Sequence, residues 1–202
     1  MKVLLLSPYP ERLDSTWTDE EILSVHGPNQ PDPVEYEWAD WVVSYGHRYV
    51  IKPEIVRIMG NRIINIHIGY LPWGRGADPN FWSWHDDTPK GVTIHQMDEG
   101  IDTGPLLVRM ESSPDKRGTL KTTYEQLHRE AIFLFGQYWH RIRDGMESFP
   151  QTPADATSHK KKDREAIWHH FPLGWDTPVR DVEEFGRRSR DEHGQRSGSS
   201  GA

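Results

Sequence analysis

Two polar side chains follow a buried apolar pair in the middle of the sequence, and a carboxylate returns toward them farther along the chain. Asn65 and His67 stand two residues apart after Ile63-Ile64. Because successive side chains of a β-strand point to opposite faces, a strand here places the amide and the imidazole on one side. Asp102 lies in a glycine-containing turn at residues 98–105, after a second predicted strand. The sequence therefore predicts that these three side chains meet.

An amide, an imidazole and a carboxylate suit the addition of an amine to a carbonyl carbon. The reaction passes through an oxyanion that needs preorganised hydrogen-bond donors, and the amine must lose a proton. Asn65 and His67 can donate to the oxyanion. Asp102, hydrogen-bonded to the imidazole, is expected to favour its protonated form and to accept the proton of the amine.

Each of these residues also has an ordinary explanation. A single histidine is most often a surface or satisfied core residue, and asparagine and aspartate are common in turns. A metal site of His67, His95 and Asp102 is a further alternative. Asn65 is a poor zinc ligand, however, and the set lacks the close histidine pair of common helical zinc motifs. We therefore predict catalytic roles without a metal.

Further short motifs surround these residues in a fixed order. They are Asn65-Ile66-His67, Leu71-Pro72, Arg75-Gly76, Gly91-Val92-Thr93-Ile94-His95 and Asp102-Thr103-Gly104-Pro105. Any one of them is a weak signal, but the ordered set is specific. Together they resemble the signature of the folate-dependent formyltransferases, most closely that of the sugar-nucleotide N-formyltransferases.

The resemblance implies an α/β fold, an abbreviated Rossmann-like fold in which helices flank a mostly parallel sheet. It implies transfer of a formyl group from 10-formyltetrahydrofolate, with Asn65, His67 and Asp102 as catalytic residues. It also places a loop and a turn at the folate. These residues are Arg48, Tyr49, Val50, Ile51, Met97, Asp98, Glu99 and Ile101. Position alone favours a plain core role for Val50 and Ile51.

Composition bounds the class of protein. The 202 residues with 35% apolar content suffice for one domain with a core and an appendage. The absence of cysteine excludes disulfides and thiol catalysis, and the net charge of −7 argues against a broad nucleic-acid surface. The apolar run at residues 3–6 is too short for a secretory signal or a membrane span, so we expect a cytoplasmic protein.

The N-terminal half reads as a shortened α/β unit. Residues 2–7 predict a first parallel strand, and no glycine-rich phosphate-binding turn follows it. A short helix is expected near residues 19–25, a strand at 41–45 and a helix at 54–59 that begins after Pro53.

The second half contains the clearest helical pattern. Strands are expected at residues 92–97 and 103–110, followed by a helix capped by Thr123 with Gln126 and ended by Gly145. We divide the chain into a catalytic core at 1–148, an extension at 149–186 and a disordered tail at 187–202. The tail is charged and then rich in glycine and serine.

The acceptor is expected to enter at the loop after the Asn-x-His motif. We expect it to contact Trp73, Arg75, Asn80 and, from the extension, Lys161, because Arg75 and the basic segment 159–162 could both meet a diphosphate. Trp82 is expected to be core. The extension at 159–163 and 174–178 resembles the tail of sugar-nucleotide N-formyltransferases.

The acceptor class follows by elimination. The missing phosphate turn disfavours glycinamide ribonucleotide. The acidic chain, without the C-terminal β-barrel of the related enzymes, disfavours methionyl-tRNA. A nucleotide-linked amino-sugar remains, and a homodimer is a further expectation. The alternative from another class is a folate-binding or sugar-nucleotide-binding module without turnover.

Overall fold

A twisted sheet of six strands forms the centre of the computed structural model, which describes residues 1–25 and 31–198. The strand order is β2-β1-β3-β4-β6-β7. The four strands from β2 to β4 are parallel, and β6 and β7 each run antiparallel to the preceding neighbour. The strands are β1 (Lys2–Leu6), β2 (Glu21–Val25), β3 (Trp41–Tyr45), β4 (Ile63–His67), β6 (Lys90–Gln96) and β7 (Leu106–Ser112). Two short strands, β5 (Arg75–Gly76) and β8 (Ser158–His159), pair with each other outside this sheet.

Helices cover both faces of the sheet. They are α1 (Pro33–Trp38), α2 (Pro53–Met59), α3 (Pro79–His85), α4 (Leu120–Arg143), α5 (Lys161–Ile167) and α6 (Val179–Gly198). Five short 3₁₀ segments complete the described structure, at Pro10–Thr16, Gly60–Arg62, Pro153–Asp155, Trp168–His170 and Gly174–Asp176. The expected α/β fold with a mostly parallel sheet is confirmed.

Alternation along the buried strands separates two cores. Ile64 and Ile66 pack toward α4 with Leu127, Phe135 and other side chains of that helix. Ile63 faces the opposite side, where α1 and α2 pack. Since Asn65 and His67 share the parity of Ile63, both side chains point away from α4. The predicted placement of the two polar groups on one face is therefore correct.

The antiparallel step from β4 to β6 brings two motifs into register. Asn65 lies opposite His95, and His67 lies opposite Thr93. Gly91 lets β7 approach, because a Cβ at this position would lie 2.3 Å from the carbonyl oxygen of Met110. The Gly-Val-Thr-Ile-His motif is thus the partner strand of the Asn-Ile-His motif.

The C-terminal extension packs beside α3 and forms a third core. Phe81, Trp82 and Trp84 contact Phe171, Val179 and Val182 there, which confirms Trp82 as a core residue. Trp82 also stacks on His159 at a centroid distance of 3.7 Å. The extension therefore packs on α3 and belongs to the same fold.

Several expected boundaries differ from the structure. Residues 21–25 form the edge strand β2 and no helix, because the backbone of β1 pairs with them. Helix α4 starts earlier than expected and is capped by Thr119 with Thr122. Thr123 instead points inward and bonds to Asn80.

The end of the described chain also differs from the sequence expectation. Disorder is expected from residue 187, whereas α6 continues to Gly198. Arg190 donates a hydrogen bond to the carbonyl oxygen of His85 and Arg188 pairs with Glu184 one turn away, which stabilises the helix as far as residue 190. Residues 199–202 lie outside the described part of the chain.

Across residues 1–25 and 31–198, none of the helices combines the length and the apolar character that a membrane crossing requires.

Two glycines inside helices allow a matched test of this packing. A Cβ at Gly186 would lie 1.8 Å from the carbonyl oxygen of His85, whereas a Cβ at Gly136 would make an ordinary 3.4 Å contact with Thr16. We expect Gly186→Ala to lower the free energy of unfolding by about 1–3 kcal/mol through overpacking. Gly136→Ala should be neutral or stabilising by up to about 1 kcal/mol, because alanine favours helix. Urea denaturation of both variants decides, and equal effects would contradict the close packing of α6 on α3.

Candidate active site

Asp102 lies at the centre of a polar cluster at the edge of the sheet. Its Oδ2 accepts a hydrogen bond from the backbone N–H of Gly76 at 2.8 Å, and its Oδ1 accepts one from Nδ2 of Asn65 at 3.3 Å. Nδ1 of His67 is 3.6 Å from Oδ2, and Nε2 of His95 is 3.5 Å from Oδ1. The three side chains predicted to meet do so, and His95 joins them.

The Asp102 carboxyl is largely buried, with its side chain 14% exposed, and yet remains ionised. Burial is the largest single influence on its pKa and raises it, but the imidazoles of His67 and His95 and the N–H of Gly76 lower it by a larger combined amount. The pKa therefore lies well below the usual range of an aspartate. The residue is also held in the left-handed region at φ 54, which is costly for a residue other than glycine.

His67 is a buried imidazole whose tautomer is fixed by the following loop. Its Nε2 lies 2.9 Å from the carbonyl oxygen of Gly74, which can only accept, so this nitrogen carries the hydrogen. Burial lowers the pKa of His67 more than Asp102 raises it. Nδ1 faces the Asp102 carboxylate, and the protonated form expected for this ring stays a prediction.

In the sequence, His95 stands out only as a motif residue and as an alternative metal ligand. Its Nδ1 donates to the carbonyl oxygen of Gln96 at 2.8 Å, so Nε2 is the acceptor for Nδ2 of Asn65 at 3.2 Å. The ring is buried. His95 on β6 thereby orients the amide of Asn65 on β4. Because the two residues are register partners, the pairing of these strands is the signal from which their contact could have been predicted.

The loop after β4 is tied down by Thr93. Its hydroxyl donates to the carbonyl oxygen of Gly69 at 2.7 Å and accepts from the N–H of Leu71 at 3.1 Å. Arg109 donates to the carbonyl oxygen of Leu71 at 2.6 Å. Gly69 leaves room for the active-site imidazole, because a Cβ there would lie 2.6 Å from Nε2 of His67.

The residues expected to contact folate lie in the loop after β3 and in the turn after β6. Tyr49 and Val50 are 40% and 69% exposed, Ile101 is 58% exposed, and Arg48 also lies at the surface. Asp98 accepts hydrogen bonds from Thr103 and from the N–H of Gly100 within its own turn. Glu99 pairs with Arg57. In contrast, Ile51 is a buried core residue and Met97 packs against the same core, as position alone favoured for Ile51.

The expected acceptor contacts are only partly brought together. Trp73 stacks on Tyr70 at 6.0 Å between centroids beside the loop. Asn80 is 2% exposed and donates to the carbonyl oxygen of Leu120 at 3.0 Å, so its amide is used inside the protein. The acceptor role expected for Asn80 is contradicted by this burial.

Arg75 and the basic segment of the extension are neighbours in the backbone, as predicted. β5 pairs in parallel with β8, and the N–H of Arg75 bonds to the carbonyl oxygen of Thr157 at 2.9 Å. Their side chains diverge, however. The guanidinium of Arg75 donates to Gln151, while Lys161 is exposed on α5 and pairs with Glu165.

Gln151 is a further residue of the site that sequence reasoning missed. Its amide nitrogen donates to the carbonyl oxygens of Asp102 and Gly104, and its oxygen accepts from Arg75. It lies 49 positions from Asp102 in sequence, in no recognisable motif. Nothing in the sequence pattern pointed to it.

Metal binding has no support in the side-chain arrangement. Within the part of the chain that the structure describes, no group of three or more histidine, cysteine, aspartate or glutamate side chains could hold a metal ion.

Comparison with known proteins adds to this geometry. The family model described as Formyl transferase matches residues 25–135. The dTDP-4-amino-4,6-dideoxyglucose formyltransferase of Mycobacterium tuberculosis is 31% identical over 113 residues, which are 54% of this chain and 47% of that protein. The methionyl-tRNA formyltransferase of Synechococcus elongatus is 31% identical over 169 residues, which are 83% of this chain and 47% of that protein. The chain thus spans about half the length of these curated relatives.

A solved structure matches over a larger share of both chains. The formyltransferase PseJ from Anoxybacillus kamchatkensis, in complex with UDP-4,6-dideoxy-4-formamido-L-AltNAc and tetrahydrofolate, has 40% sequence identity and a TM-score of 0.84. The match covers 92% of this chain and 100% of that one.

A buried histidine on α4, outside the active site, makes stability depend on pH. His128 on α4 bonds through Nδ1 to the hydroxyl of Tyr45, and its ring meets those of Tyr9 and Tyr124 edge to face. Burial, and next the charge of Arg12, lower its pKa to about 4, although Glu125 opposes the shift. The folded protein therefore resists a proton that the unfolded chain accepts near pH 6.5.

We expect stability to fall as the pH drops below about 6.5, because His128 binds a proton more readily in the unfolded state. The contribution of this residue reaches about 3 kcal/mol by pH 4, and His67 acts in the same direction. Urea denaturation at pH 7 and pH 5 measures the slope. His128→Gln should flatten it, whereas the exposed control His140→Gln should not. An unchanged slope in His128→Gln would contradict the neutral, buried state of His128.

Proposed function

Because the chain belongs to the formyl transferase family, we propose that it transfers a formyl group from 10-formyltetrahydrofolate to the primary amine of a nucleotide-linked amino-sugar. The observation that carries the proposal is the ionised Asp102 carboxylate between Asn65, His67 and His95. The likeness to PseJ, whose structure contains a UDP-linked formamido sugar and tetrahydrofolate, supports the acceptor class. The expected cytoplasmic location and homodimeric state stay predictions.

Asn65 donates a hydrogen bond to the oxyanion. When the amine attacks the formyl carbon, the carbonyl oxygen gains negative charge and needs donors close by. In the free protein both N–H groups of the Asn65 amide point to His95 and Asp102, at 3.2 and 3.3 Å. These long contacts suit an amide that turns one N–H toward the substrate oxygen while His95 keeps its orientation.

Asp102 lies where it can accept the proton of the attacking amine. The attacking nitrogen forms a bond to the formyl carbon and becomes positively charged, so it gives up a proton to Asp102 or, beside it, to the unprotonated Nδ1 of His67. When Nδ1 of His67 takes the proton, the resulting cationic ring next to the carboxylate stabilises the oxyanion electrostatically. Collapse of the intermediate breaks the bond between the formyl carbon and N10. The same proton passes to N10, leaving a formamide and tetrahydrofolate.

The exposed loop and turn on either side of Asn65 are suited to the folate. Tyr49, Val50 and Ile101 present apolar surface that a flat ring can cover, and Arg48 adds a positive charge for the acidic end of the molecule. Asp98 and Glu99 supply hydrogen-bond acceptors in the adjoining turn. The neutral groups of the site and the ionised Asp102 need no metal for these steps.

The acceptor enters beside Trp73 and Arg75. One terminal nitrogen of the Arg75 guanidinium is left over from the contacts with Gln151, so this side chain keeps a positive charge near the entrance of the site. Lys161 provides a second charge farther along the extension. A diphosphate on the acceptor gives the Arg75 guanidinium an anionic partner, which a free amine does not.

A panel of acceptors tests the proposal. We expect the protein to consume 10-formyltetrahydrofolate with a UDP- or dTDP-linked amino-sugar and to give the formamido product, detected by mass spectrometry, in the presence of a chelator. Methionyl-tRNA and glycinamide ribonucleotide should give no product above background. Folate binding without product from any acceptor would favour the alternative of a binding module, and formylation of tRNA alone would contradict the proposed acceptor class.

A further inference from the structure

Gln151 lies where the extension passes the catalytic turn. Phe149 and Leu106 exchange backbone hydrogen bonds of 2.8 and 2.9 Å, which fix this part of the extension alongside the start of β7. Two residues later the Gln151 side chain is 9% exposed. A polar side chain buried to this extent must have its hydrogen bonds satisfied inside the protein.

Every hydrogen-bonding group of the Gln151 amide has a partner. Nε2 donates to the carbonyl oxygens of Asp102 and Gly104, at 2.9 and 2.8 Å. Oε1 accepts from Nε and Nη2 of Arg75, at 3.1 and 2.7 Å. Two donors and two acceptor positions are the full capacity of a glutamine side chain. The environment is therefore complementary to this residue type.

These contacts join the two segments that hold the catalytic carboxylate. One is the turn of Asp102 itself, whose main chain is in the left-handed region. The other is β5, where Gly76, the neighbour of Arg75, donates to Oδ2 of Asp102 at 2.8 Å. A shift of the turn relative to β5 would break this charged hydrogen bond and change the distance from Asp102 to His67.

We propose that Gln151 is a positioning residue for formyl transfer, because it fixes the Asp102 carboxylate against Gly76, Asn65 and His67. The inference rests on the proposed function. Gln151 does not touch the reacting atoms and acts through the main chain of Asp102 and through Arg75. The residue also makes the extension a necessary part of the active site, in addition to its packing on α3.

The side-chain chemistry defines informative replacements. Asparagine is shorter by one carbon–carbon bond, about 1.5 Å, and cannot reach both segments. Glutamate can still accept from Arg75 but loses both donors and brings a negative charge to two carbonyl oxygens. Methionine keeps the approximate shape and loses every hydrogen bond. Gln137 is an exposed glutamine on α4, so Gln137→Met is the matched control.

The first measurement reads geometry and needs no turnover. The ring ¹⁵N signals of His67, assigned by their loss in His67→Gln, report the protonation and hydrogen bonding of Nδ1, which depend on the position of the Asp102 carboxylate. We expect them to shift in Gln151→Met and Gln151→Glu and to stay unchanged in Gln137→Met. Unchanged His67 signals in both Gln151 variants would overturn the proposal, whatever the activity.

The second measurement separates positioning from plain stability. Gln151→Met should lower kcat roughly 10-fold or more, since misplacement of a catalytic group by about 1 Å has effects of this size. The KM for 10-formyltetrahydrofolate should change little. A fall in melting temperature with kcat unchanged would identify Gln151 as a structural tie and overturn the proposal. If the wild type formylates no acceptor, the proposed function fails, and the His67 signals still decide on Gln151.

Discussion

The structure depends on keeping one buried carboxylate charged. Removing an ionised aspartate from water is costly, so Asp102 needs hydrogen-bond donors and polar neighbours around it. Strand β4 supplies the donor Nδ2 of Asn65, and the loop strand β5 supplies the N–H of Gly76. The imidazoles of His67 on β4 and His95 on β6 lie 3.6 and 3.5 Å from the carboxylate oxygens. No single element can provide all of these groups. The antiparallel pairing of β4 with β6 and the pairing of the extension with β5 therefore both shape the environment of Asp102.

The side chains around Asp102 come from the second half of the sheet and the segments beside it. Strands β1 and β2 widen the sheet and bury its core, but they contribute no side chain to the cluster around Asp102. The residues that do contribute come from β4, β6 and the segments between and after them. The extension holds β5 in place through β8 and through Thr157, which bonds to the N–H of Gly74.

The sequence was most informative where local rules and motif order coincide. Strand alternation placed Asn65 and His67 on one face, and Pro53 with Gly60 bounded α2. The ordered motifs identified the family. What could not be predicted depends on long-range packing. The lowered pKa of His67 follows from its burial, the Asn80 amide bonds to the main chain of α4, and Gln151 belongs to no recognisable sequence motif. Residues 21–25 form a strand because their backbone pairs with that of β1, and no local sequence pattern indicates this pairing.

The most direct test of the account is the single-turnover rate of formyl transfer by Asp102→Asn. Asparagine has nearly the same shape, and its oxygen can still accept the hydrogen bond from Gly76, but it carries no charge and accepts no proton. The account predicts a folded protein, judged by its near-ultraviolet circular dichroism, with a rate lowered by about 10² or more and folate binding retained. A rate within about threefold of the wild type would contradict a catalytic role for the ionised Asp102 carboxylate.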